Sequence, residues 1–219
     1  MLLVERSNRT ERLLAGLAGR TMAPGRDPLA PAIVVVQGPG MERWIAQSIA
    51  RAFGVCANTT FPFPRDFLER VFASAPAEAS VPANPAWEPR RLVWAVASEL
   101  DAARDDPEFA PLYRHLHAAD GEWRLVSLAE RLARLFDQYV TFRPDWVTGW
   151  AAPDAAPTRP DERWQAKLFR AVHARVGPGH VADRAHAFQR WIGSVPPATA
   201  AAALLRVLPG PIEVFAVST

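Results

Sequence analysis

The sequence predicts an α/β fold, mostly helical, in which a small parallel sheet is interrupted by a large all-α insertion. Three observations carry this. The N-terminal part alternates apolar runs and amphipathic stretches in β-α-β-α order, residues 89–192 hold helix-period patterns with no strand-like run, and an apolar strand-type segment, PIEVFAVS, returns at residues 211–218. A continuous apolar run of that kind suits a buried parallel strand, which normally feeds another loop and helix. The expected division is an α/β core over residues 1–75, completed by 205–219, with a helical insertion over 76–204. The chain reads as the front part of a longer protein.

Taken in order, residues 2–5 form a short strand candidate, and Ser7 or Asn8 can cap a helix that places Leu13, Leu14 and Leu17 on one face. Residues 32–37 are a β-branched run suited to a buried strand, followed by a helix over 41–53 that Gly54 ends. On that helix Met41, Trp44, Ile45, Ile49, Ala52 and Phe53 make an apolar stripe, while Arg43, Gln47 and Arg51 line up at i, i+4 and i+8. The FPFP segment at 61–64 is extended because each proline restrains its predecessor, and Pro64 opens a helix over 65–73. Residues 74–85 read as an Ala/Pro/Glu/Ser linker. Helices are then expected over 89–104, 107–118, 122–142, 144–150, 162–176, 182–192 and 198–208.

Composition narrows the function classes. With 219 residues, 49% of them hydrophobic, the chain can bury a core. The charged N-terminus MLLVERSNRTER leaves no signal-peptide apolar region, and no run approaches the roughly 18 apolar residues of a membrane span. The single cysteine, Cys56, cannot form an internal disulfide, so a cytoplasmic protein without membrane attachment is expected. Net charge is +2, yet Lys167 is the only lysine among 25 Lys and Arg residues. Arginine forks suit phosphates and base edges, although a GC-rich genome also swaps lysine for arginine.

The stretch VVVQGPGMERW at 34–44 has the strand, glycine loop and helix start of a phosphate cradle. A Walker loop needs GxxxxGK followed by Ser or Thr, and with Lys167 as the only lysine no placement of that motif exists. In P-loop proteins the phosphate loop follows the first core strand; here VERSNRTER, without glycine, fills that slot. The Gly-Pro-Gly loop falls after the second expected strand, where superfamily 1 helicases carry a loop that contacts single-stranded DNA. A plain turn is the competing reading. Gln37 can hydrogen-bond a base edge and Arg43 can reach a phosphate or guanine.

A second dense segment is LARLFDQYVTFRPDW, residues 132–146, whose core stripe leaves Arg131, Arg134, Asp137, Gln138 and Arg143 on a polar face of mixed sign. Solvated helix surface is the default there. The acidic run at 99–108 lacks a histidine or lysine at nuclease spacing, and His115 and His117 diverge on a helix. Cys56 reads as a buried structural thiol, and most of the eight tryptophans, including Trp44, Trp94 and Trp164, read as core.

In this order, MLLVERSNRTERL, IVVVQGPGMERWIAQSIARAFGVCANTTFPFPRDFLERVF, LFDQYVTFRPDWVTGW, ERWQAKLFRAV, DRAHAFQRWI and IEVFAVST resemble the N-terminal part of the RecC family, the gamma chain of exodeoxyribonuclease V. The signals VQxxGMxxW, NxxFPxP and LFDQYxxxRPDW carry the resemblance. It implies a superfamily 1 helicase-like sheet (domain 1A) with a helical insertion (domain 1B) that has lost its ATPase residues. It implies work beside RecB-like and RecD-like subunits in double-strand break repair, with ATP and magnesium held only by those partners. Such a subunit splits duplex DNA and scans one strand for a Chi-type hotspot. Position by position, the strand-reading surface falls on Gln37, Pro39, Arg43, Phe63, Glu69, Arg134, Leu135, Asp137, Gln138, Arg143 and Arg184. Pro39, Arg43, Phe63, Glu69 and Arg134 replace the family's Thr, Gln, Leu, Trp and Asp, and the other six keep its residue types. Two alternatives stand beside this: a scaffold that docks the RecB helicase-nuclease without touching DNA, and a cryptic nucleotide hydrolase.

Overall fold

The computed structural model describes residues 2–23, 31–110, 112–113, 121–151 and 160–215, which leaves His115 and His117 outside the described residues. The chain divides into two compact units, Met1–Pro76 with Trp191–Thr219, and Ala77–Arg190. The elements run α1 (Thr10–Thr21), β1 (Ala32–Val35), α2 (Pro39–Phe53), β2 (Thr59–Thr60), α3 (Pro64–Phe72) and α4 (Pro89–Ala102). They continue with α5 (Gly121–Phe142), α6 (Pro144–Ala151), α7 (Pro160–Val176), α8 (Val181–Ser194), α9 (Pro197–Val207) and β3 (Ile212–Val214). The described residues are mostly helical, with a three-stranded parallel sheet in the order β2-β1-β3.

The first unit is built around β1, all four of whose residues are buried, as a β-branched run flanked by strands on both sides should be. Val34 and Val36 pack with Leu17 and Ala18 of α1, Ile45 and Ile49 of α2, and Phe215. Pro39 starts α2 six residues before its first buried residue, Ile45, and Gly54, at φ 83° in the left-handed region, ends it. Arg43, Gln47 and Arg51 are all exposed, as the sequence period predicts. Cys56 is half-buried against this core rather than fully enclosed.

Four local expectations are corrected here. Residues 2–5 form no strand: Leu2, Leu3 and Val4 are 88%, 59% and 63% exposed. Glu5 instead lies over Gly16 of α1, where any Cβ would collide with its carboxylate, and pairs with Arg20 at 2.5 Å. The α1 cap is also shifted. Arg9 occupies the N-cap without a side-chain bond, and Ser7 Oγ accepts the Arg9 N–H at 3.0 Å. β3 lies at the edge of the described sheet, with Ile212 and Val214 42% and 58% exposed and Phe215 buried, so residues 212–214 are not buried on both faces as their apolar pattern suggests, and residues 216–218 of the expected strand lie outside the described residues. Finally, β2 is an extra strand of two threonines, too short to show a period.

The second unit is a helical core. Leu92, Val96 and Leu100 of α4 meet Ala129, Leu132, Ala133, Phe136 and Val140 of α5, with Trp150 of α6 and Phe169 and Val172 of α7 packed in. Phe136 and Phe169 meet edge to face at 5.3 Å, and Tyr139 O–H donates to Gln165 Oε1 at 2.8 Å. Part of the expected linker is fastened to this core. Asn84 Nδ2 donates to the Val176 carbonyl at 2.7 Å, and Trp87 Nε1 donates to the Gly177 carbonyl at 2.9 Å. Gly179, at φ 121°, lets the chain pass so near Asn84 and the Pro82 carbonyl that a Cβ would come within 2.7 Å of both.

The acidic run is bound up in ion pairs. Glu99 meets Arg175 at 2.5 Å, Asp101 meets Arg104, and Lys167 holds Asp106 at 2.5 Å and Glu108 at 3.3 Å. Hydrogen bonding to Asp106 raises the Lys167 pKa above its ordinary value. Of the three tryptophans named as core, Trp94 departs from that expectation at 69% exposed, and Trp123 is more exposed still at 83%.

Candidate nucleic-acid interface

In the first unit, five candidate residues sit on consecutive elements. Gln37 is exposed two residues beyond β1, Gly38 is the N-cap of α2, and Pro39 and Arg43 are exposed on its first turns. The Val36 N–H donates to the Pro62 carbonyl at 3.2 Å, which ties the end of β1 to the residue before Phe63. Phe63 is half-buried against the sheet core and precedes α3, on which Glu69 is half-buried. Thus Gln37, Pro39, Arg43 and Phe63 flank one strand end, with Glu69 one helix farther along.

The topology gives that strand end its significance. From β1 the chain passes through α2 to β2 on one side, and it later arrives at β3 on the other. Open α/β sheets take ligands at the carboxyl end of the strand where connections diverge in this way. Since residues 2–5 form no strand, the loop follows the first strand of the described sheet, and strand order no longer separates it from a phosphate loop. The missing lysine does. Gly38 has φ −177°, ordinary extended backbone, and a Cβ there would meet nothing within 4 Å. Neither strain nor packing demands glycine at this position, and its open face permits close approach of a ligand to the backbone.

In the second unit, Arg134 and Gln138 are exposed at i and i+4 on α5, with Asp137 half-buried beside them. Arg134 pairs with Glu130 at 3.3 Å. Leu135 is half-buried and packs on the helical core, so it presents only part of its side chain. Arg143 sits where α5 ends: its N–H donates to the Tyr139 carbonyl at 2.8 Å, and Pro144 starts α6 directly after it. Its guanidinium lies 3.6 Å over the Trp146 ring and donates to both Asp145 carboxylate oxygens at 3.2 and 3.0 Å. That hydrogen bonding raises the Arg143 pKa and lowers that of Asp145. The cation lies over an indole, a cation–π contact, with its Nε/Nη2 edge taken by Asp145. Trp146 and Asp145 were missed as supports, though the tetrapeptide RPDW contains all three. Arg184, on α8, donates from Nε to the Val81 carbonyl at 3.2 Å, so part of its fork is used within the fold.

One further cluster has potential ligand atoms. His173, His180 and Asp183 place them within 4.8 Å of one another, and the buried Nε2 of His180 has no hydrogen-bond partner. A metal is a poor fit, because His180 Nδ1 accepts the Asp183 N–H at 3.1 Å. That bond leaves the ring proton on Nε2 and removes the lone pair a cation needs. The arrangement is instead a helix start. His180 precedes α8 and caps its third N–H, while the Asp183 carboxylate reaches back to the Gly179 N–H at 2.8 Å, a reciprocal exchange of the capping-box kind. Burial is the main cause that lowers the His180 pKa from 6.5 to about 4.

Comparison with known proteins agrees over nearly the whole chain. The family model described as "RecC, N-terminal domain" matches residues 2–219. The chain is 33% identical over 189 residues to the RecBCD enzyme subunit RecC of Mycolicibacterium smegmatis, covering 82% of this chain and 16% of that protein. It is 30% identical over 207 residues to the subunit of the same name from Escherichia coli K12, covering 91% and 18% respectively. The RecC subunit of Mycobacterium tuberculosis H37Rv is 33% identical over 198 residues, covering 82% and 17%. The chain thus spans less than a fifth of the length of these relatives. Matched from residue 2 to residue 219, it belongs to the RecC family, over the N-terminal domain.

Proposed function

We propose that this chain is a non-catalytic, DNA-handling part of a RecBCD-type enzyme in double-strand break repair and recombination. Its sheet unit is an inactive helicase-like domain and its helical unit the inserted partner. Together they guide a single strand and scan it for a Chi-type hotspot. ATP and magnesium belong to RecB-like and RecD-like partners, and the site of action is the cytoplasm.

The observation that supports this best is the loop beyond β1. It combines a base-reading amide at Gln37, a backbone open at Gly38 and a cation at Arg43, at the divergence point of a parallel sheet in a chain whose one lysine is tied to Asp106 and Glu108. Such a loop meets a phosphate backbone without the side chain that hydrolysis of a nucleotide requires.

Fluorescence anisotropy with a labelled single-stranded oligonucleotide tests the proposal. Binding is expected to fall steeply with salt as phosphate contacts release counterions. Arg43→Ala and Arg143→Ala are each expected to weaken it by roughly tenfold, about 1.4 kcal/mol. Wild-type-like binding by both variants would remove the strand-reading surface. A rise in melting temperature with ATP would favour the hydrolase reading instead.

A further inference from the structure

We propose that the groove between α4 and α5 is a stacking site for single-stranded nucleic acid, with Trp94 as its platform and Arg90 and Arg134 as its phosphate contacts. This rests on the reading that the polar face of α5 meets a strand at Arg134, and it extends that path onto Arg90 and Trp94, which the family resemblance does not include. The groove has a volume of about 540 Å³. Arg90, Val93 and Trp94 line it from α4, at i, i+3 and i+4, and Val126, Glu130 and Arg134 line it from α5, each four residues from the last.

Trp94 has no role in the core that would explain it. At roughly 100° per residue it lies on the opposite side of α4 from Leu92, Val96 and Leu100, which are fully buried, while Trp94 is 69% exposed. Val93 and Val126 form an apolar floor beside it, buried and half-buried respectively. An indole face over such a floor accepts any base, because every base has a π-face. The guanidiniums of Arg90 and Arg134 supply charge for the backbone. The α5 wall of the groove also continues into the candidate reading face: Val126, Glu130, Arg134 and Gln138 follow one another at the i+4 spacing. At 1.5 Å per residue that stripe runs roughly 18 Å, enough for several nucleotides. Its continuity and its two arginines favour a nucleic-acid strand over a protein helix as occupant. Glu130 is the discordant group. It pairs with Arg134 at 3.3 Å, and a phosphate arriving at Arg134 must displace or repel it.

The test is anisotropy with a labelled oligo(dT), at fixed salt, on the 219-residue chain and its variants, each checked for an unchanged melting temperature. Trp94→Ala is expected to weaken binding by about tenfold, and Trp94→Phe to retain most of it because a ring still stacks. Arg90→Glu should weaken binding and flatten its salt dependence, while Glu130→Gln should tighten it. If Trp94→Ala and Arg90→Glu bind like wild type while Arg43→Ala and Arg143→Ala weaken, the groove proposal falls and the strand-reading surface stands. If the wild-type chain binds no oligonucleotide, both fall.

Discussion

At the scale of single residues, His180 couples the helical unit to pH. Its imidazole is 3% exposed, edge-on to Trp87 at 4.7 Å, and its Nδ1 is committed to the start of α8. The groups facing it are His173, at 5.5 Å between rings, and the Asp183 carboxylate, whose Oδ1 lies 3.4 Å from Nε2. Unfolded, the ring titrates near 6.5; folded, burial lowers it to about 4. Between those values the unfolded chain holds a proton that the folded chain lacks, so stability rises with pH through the window and is lost as pH falls. The full loss is about 3 kcal/mol once pH is below 4. Urea melts from pH 7 to 4 should show the midpoint falling through this window. His180→Asn keeps a capping acceptor and removes the titration, so its profile should be flatter than wild type over the same range. An equally steep profile would place the pH dependence elsewhere.

At the scale of elements, two substitutions separate folding from binding. Gly38→Ala introduces a Cβ into open space on extended backbone, so melting should fall only by the small cost of alanine at an N-cap while oligonucleotide affinity falls more, as a strand close to that backbone requires. Phe136→Ala does the reverse. It empties a fully buried position of α5 against Phe169 and should cost about 3–5 kcal/mol, read from urea unfolding.

How legible the elements were follows from where their information lies. Proline openings and the glycine stop of α2 are local chemistry: α3, α4 and α6 start at Pro64, Pro89 and Pro144, whereas α2 starts at Pro39, two residues before the expected Met41. The strand expected at 2–5 failed because three apolar residues do not say which partner, if any, pairs with them. In this fold Glu5 is drawn to Arg20 instead. β3 looked buried from its composition, but burial there depends on whether another strand lies beside it. Trp94 was legible and misassigned, since its angular position on α4 already set it opposite the buried stripe. In the candidate interface, the order and spacing of Gln37, Pro39 and Arg43 could be read directly, as could the α5 stripe. The support of Arg143 by Trp146, and the partial burial of Leu135 and Glu69, depend on tertiary packing that spacing alone does not encode.

At the scale of the whole molecule, a chain of near-neutral net charge is proposed to handle a polyanion. The charge is unevenly used: Arg20, Arg104, Arg143, Lys167 and Arg175 are each paired with carboxylates of the fold, so the +2 balance says little about which cations meet DNA. Among the described helices none is long and apolar enough to cross a membrane. The exposed arginines of α2, Arg43 and Arg51, carry the electrostatic side of the proposal, and Arg143 joins them only by exchanging its Asp145 partner for a phosphate. The most direct measurement is photo-crosslinking of a bromodeoxyuridine-substituted single strand to the chain, with the attached peptides identified by mass spectrometry. Crosslinks on the peptide that carries Gln37 to Arg43 and on the peptides that carry Arg134 to Trp146 are the predicted result. Crosslinks confined to other segments, or none under conditions where the oligonucleotide is bound, would contradict it.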